Sequence, residues 1–115
     1  MGAMTWSKFW DVYPRAHLVI ARLDAVQTAE ARRSRFDLLK QLVAASGPRG
    51  DWSLVNVNLD GRAEIHLAYE RAADAARLST LVHAEPLDPR PGRLSQSAFD
   101  FDNGAQKLIM GALKE

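Results

Sequence analysis

Apolar and polar positions alternate most regularly from Trp52 to Glu70, WSLVNVNLDGRAEIHLAYE, and the alternation breaks at Asp60-Gly61. Two alternating runs around an Asp-Gly pair are the strongest short-range signature of a β-hairpin. A loop of Asp60 and Gly61 alone sets Val57 opposite Glu64 and Val55 opposite His66, mixing apolar with charged side chains. A three-residue loop, Leu59-Asp60-Gly61, sets Val57 against Ala63 and Val55 against Ile65. Gly61 tolerates the left-handed backbone that such a loop needs. Asn58 then faces Arg62 and Asn56 faces Glu64, so this register predicts one greasy face and one polar face.

Elsewhere the spacing is mostly helical. Trp6, Phe9, Trp10 and Tyr13 recur at helical intervals, with Thr5 or Ser7 as a cap and Pro14 ending the turn. Ala16 to Leu23 is short, apolar and β-branched, which favours a buried strand. Asp24 and Gln27 have capping-box spacing, and Thr28 offers a second cap, for a helix running to about Ser46. Val26, Ala29, Phe36, Leu39 and Val43 form its apolar stripe, widened by Leu42, and Gly47 marks its end. Ala72 to Ala84 reads as another helix, 85–94 as the longest loop, and Ser97 to Asp102 as a last strand. Asn103 and Gln106 then cap a closing helix through Ala105, Leu108, Ile109 and Ala112.

Without the terminal helices this order is βαββαβ, the split pattern of ferredoxin-like domains. The expected fold class is α+β, an antiparallel sheet with helices on one face, plus short N-terminal and C-terminal helices. Met1-Gly2-Ala3 ahead of Met4 reads as a cloning remnant, leaving 5–115 as a single domain.

Composition narrows the function classes. The 115 residues are 47% apolar and 25% charged, ordinary for a globular chain. A formal charge of +1 creates no global field for nucleic acid or anionic membrane. There is no cysteine, which removes disulfides, thiolate metal sites and a cysteine nucleophile, and fits a cytoplasmic protein. No apolar run approaches the ~20 residues of a membrane span. His17, His66 and His83 have no ligand spacing, even with Glu64 or Asp24, so no metal is expected. No Gly-rich phosphate loop or nucleophile elbow appears, and no cofactor is expected.

Three groups of residues remain as candidates. Asn56, Asn58, Arg62, Glu64 and His66 share the expected polar hairpin face, with Leu54 adding apolar area to it. Trp6, Phe9 and Trp10 either pin their helix to the core or form a partner hot spot. Arg32, Arg33, Arg35 and Lys40 make the densest basic patch, diluted by Glu30 and Asp37. FWDVYPR, Phe9 to Arg15, resembles a short string found in some phage and plasmid replication proteins. The lysine-alanine-rich continuation of that string is absent, and no family is assigned.

The leading expectation is a small regulatory, inhibitory or adaptor protein that binds a protein partner or itself, as a homodimer. It would use an open sheet face and the Trp6–Trp10 helix. The competing expectation is a small dimeric α/β-barrel-type enzyme with His66 and Glu64 as acid and base in a pocket under the sheet. A nucleic-acid binder using the basic helix ranks third.

Overall fold

A computed structural model of the chain describes residues 3–23, 28–59 and 62–101. The elements are α1 (Trp6–Val12), β1 (Ala16–Arg22), α2 (Ala29–Ala45), β2 (Trp52–Leu59), β3 (Arg62–Tyr69), α3 (Ala72–Val82), β4 (Glu85–Leu87) and β5 (Arg93–Asp100). The Asp24–Gln27 capping box, Val26 and the closing helix from Asn103 lie outside the described residues.

The mixed α+β class holds, but the sheet is neither four-stranded nor wholly antiparallel. Its order is β2-β3-β1-β5-β4. A ferredoxin-like order would place the strand after α3 directly beside β1. Instead the chain forms the short β4, turns through residues 88–92, and inserts β5 between β4 and β1. The added reversal makes β5 parallel to β1, with Val19 level with Ser97 and Ile20 with Ala98. The expected loop over 85–94 is therefore half strand. Pro86 does not prevent this, because β4 pairs on one side only and an edge strand tolerates a missing N–H.

α2 and α3 cover one sheet face. Leu39, Leu42 and Val43 of α2, and Ala75, Leu78 and Val82 of α3, bury against Val19, Ala21, Ile65, Leu67, Tyr69 and Phe99. Thr28 caps α2 by accepting the Ala31 N–H at 3.1 Å, and Gly47, at φ +66°, follows its end.

The hairpin takes the register that sequence reasoning set aside. Val57 pairs with Glu64, Val55 with His66, Asn56 with Ile65 and Asn58 with Ala63. The alternation offers β2 only two choices, burying Val55 and Val57 or burying Trp52 and Leu54. An indole and an isobutyl group remove more apolar area from water than two isopropyl groups. Trp52 faces Tyr69 and Leu54 faces Leu67 under the helices, and Trp52 is 6% exposed.

The N-terminal segment contacts the sheet from Ala3 onward. Ala3 bridges Trp52, Met4 N–H donates to the Trp52 carbonyl at 2.9 Å, and Ser53 Oγ donates to the Met4 carbonyl at 2.7 Å. These bonds bring α1 onto the sheet face opposite α2 and α3, so the helices do not all share one face.

Candidate functional site

α1 covers only part of that second face. Phe9 is fully buried against Ala16 and Ala68, and Trp6, Trp10 and Tyr13 pack around it half-buried. Trp6 and Trp10 meet edge to face at 5.4 Å, as do Phe9 and Trp10 at 5.5 Å. Trp6 also touches the Leu18, Ile20 and Ala98 cluster. Of the three aromatics expected as a partner surface, Phe9 is core, while Trp6 and Trp10 keep one flank in solvent.

Beyond α1 the described residues of the same face form a groove of about 470 Å³. Leu18 and Ile20 of β1 and Gln96 of β5 make its floor. Arg62, Glu64 and His66 of β3 line it, with Leu87, Arg90 and Pro91 contributed by β4 and the turn after it. Arg22 and Arg93 complete the lining, so four arginines meet one glutamate. Alternation places them together. Ile20 is level with His66 and Arg22 with Glu64 on one side, and Leu18 with Gln96 on the other.

Two contacts order the groove. His66 Nε2 lies 3.0 Å from Glu64 Oε1, two residues away on the same strand face. The Arg93 guanidinium sits 4.1 Å from the centroid of the Trp10 ring, an attraction between cation and ring quadrupole that ties the groove to α1. Gln96 is 7% exposed, and its Oε1 is buried without a hydrogen-bond partner among the described residues. Among the described residues no serine, threonine or tyrosine lines the groove.

The expected polar hairpin face is therefore divided. Arg62, Glu64 and His66 face the groove, whereas Asn56 and Asn58 face α2, because the two-residue register puts them level with Ile65 and Ala63. There they line a second cleft, of about 530 Å³, with Arg32, Arg33 and Phe36. Arg32 Nη1 donates to Asn58 Oδ1 at 3.0 Å, and Arg35 Nη1 donates to the Ala31 carbonyl at 3.3 Å. Two members of the basic patch are thus engaged with the protein itself. Arg33 and Lys40 are exposed.

Sequence reasoning missed Arg90, Arg93 and Gln96, which it left in or beside a loop. The available signal was the even spacing of Leu94, Gln96 and Ala98 ahead of Phe99, a strand pattern starting earlier than Ser97. His17 and His83 lie away from the groove. His17 Nδ1 meets Ser95 Oγ at 2.7 Å, and His83 ends α3 with φ 56°. Among the described residues no three histidine, aspartate or glutamate side chains gather to hold a metal ion. None of the described helices is long and apolar enough to cross a membrane. No protein-family model matches the chain, and no curated protein or solved structure matches it.

Proposed function

We propose that the protein is an interaction module, regulatory or adaptor in kind, that seats a protein partner in the groove on its second sheet face. The observation that carries this reading is the groove, whose apolar floor of Leu18 and Ile20 lies within an arginine-rich rim. Apolar floors with polar rims are the ordinary anatomy of binding surfaces. Charge weighs against a second copy as the partner. A twofold interface apposes the same patch from both subunits, and here that sets arginines against arginines.

The test compares capture of partners from a cell lysate by the wild-type protein and by Arg62→Glu/Arg90→Glu, both at exposed positions. A discrete partner held by the first and lost by the second, with unchanged far-UV spectra, supports the reading. Equal capture by both, or no discrete partner, overturns it. Light scattering on the same samples identifies a second copy if a dimer dissociates on substitution. The competing reading, a small enzyme, draws on the 3.0 Å contact between His66 and Glu64. Turnover of a groove-bound substrate that His66→Ala abolishes without weakening binding would favour it.

A further inference from the structure

We infer, resting on that partner-binding reading, that the groove takes an acidic peptide segment in extended conformation. Charge selects the class first. The whole chain carries only +1, yet four arginines converge here from β1, β3, β5 and the turn before β5. Among the described residues Arg22, Arg62 and Arg90 make no ion pair, and the one glutamate in the groove already contacts His66. Arg93 is held over the Trp10 ring, and a guanidinium so placed still has N–H donors for a carboxylate.

Gln96 narrows the class further. Among the described residues its buried Oε1 is an acceptor without a donor, an arrangement that costs free energy. A bare anion brings only acceptors. A peptide brings both carboxylates and main-chain N–H groups. Alternating side chains of an extended peptide would place acids towards the arginines and apolar groups on Leu18, Ile20 and Leu87. A nucleic-acid strand has the charge but lacks its usual platform, since among the described residues no phenylalanine, tyrosine or tryptophan lines the groove.

The experiment measures anisotropy of three labelled probes. These are a peptide alternating leucine with glutamate, the same peptide with glutamines, and a single-stranded oligothymidylate of equal charge. The glutamate peptide should bind best, weaken with added salt, and lose about tenfold in affinity to Arg62→Ala/Arg90→Ala. Gln96→Leu should weaken that peptide while leaving the melting temperature unchanged or raised, because it removes an unpaired buried acceptor. A merely structural glutamine would not separate the two readouts. Tighter binding of the oligothymidylate, equal binding of both peptides, or indifference to the arginine substitutions overturns the inference. If no probe binds while groove-dependent capture from lysate persists, the acidic class falls and the partner reading stands. If both are lost, both fall.

Discussion

Asp74, in the first turn of α3, accepts the backbone N–H of Gly50 at 2.9 Å, and that of Arg49 at 3.2 Å. Its side chain is 2% exposed and lies 3.6 Å from Arg77 Nη1, which also donates to the carbonyls of Ser46 and Gly47. One carboxylate thereby ties the turn between α2 and β2 to α3. Asp74→Ala strands two backbone donors at once, at an expected cost of about 2–4 kcal/mol. Urea unfolding measures it. Asp74→Asn, which keeps an acceptor, should fall between, and a loss below ~1 kcal/mol would show that water replaces the carboxylate.

Phe9 and Trp10 should separate cleanly under substitution. Phe9 is 0% exposed at the centre of its cluster, so Phe9→Ala should cost about 3–5 kcal/mol. Trp10 is half-buried and supports Arg93, so Trp10→Ala should cost less and leave the far-UV spectrum native. Equal losses in the two variants would place Trp10 in the core as deeply as Phe9.

The two tyrosines should be silent where tyrosine normally ionises. Tyr13 donates its hydroxyl to Asp51 Oδ2 at 2.6 Å. That bond, followed by burial and the charges of Asp51 and Glu70, raises its pKa from 10.0 to about 12. Burial, with the nearby Asp74 charge, pushes Tyr69 well above the usual range. Both folded values are raised, so the stability they contribute is intact below pH ~10 and is lost as pH climbs towards 12. A spectrophotometric titration should show no phenolate step near pH ~10 in the native protein, and one for both residues in urea. A native step there would mean that the Asp51 bond does not form in solution.

His17 gives the opposite dependence at the acid end. Burial holds its pKa below the ordinary 6.5, so the folded protein resists its protonation. Below that value the unfolded chain binds the proton first, and stability falls as the pH drops. Wild-type protein should therefore lose more stability between pH ~7 and ~5 than His17→Gln does. Parallel losses would show that the imidazole is protonated as readily in the fold as outside it.

How much of this was legible in the sequence depends on the kind of signal each part leaves. The helices at Trp6, Ala29 and Ala72 and the strands at Ala16, Trp52 and Arg62 are local, and periodicity located them. The β2–β3 register was misjudged because matching like with like along the hairpin counted residues rather than area. The choice turned on Trp52, whose indole outweighs a valine. The insertion of β5 beside β1 left no trace in any window, since Ile20 and Ala98 meet only through the return of the whole chain. The groove inherits both errors. His66 and Glu64 were recognised, but Asn56 and Asn58 were assigned to the wrong face, and Arg90 and Arg93 were hidden in a segment that proline made look irregular.

The parallel pairing of β1 with β5 also imposes an order on synthesis at the ribosome. β1 is complete by Arg22 and can find β3 once Tyr69 has emerged, but its other edge has no partner until residues 93–100 leave the exit tunnel. In that interval AHLVIAR presents an unpaired apolar edge, the kind of surface that recruits strands from neighbouring chains. The late closure of the sheet makes the nascent protein, more than the finished one, the species at risk of aggregation. Slower elongation before Arg93 should lengthen that exposure and lower the soluble yield.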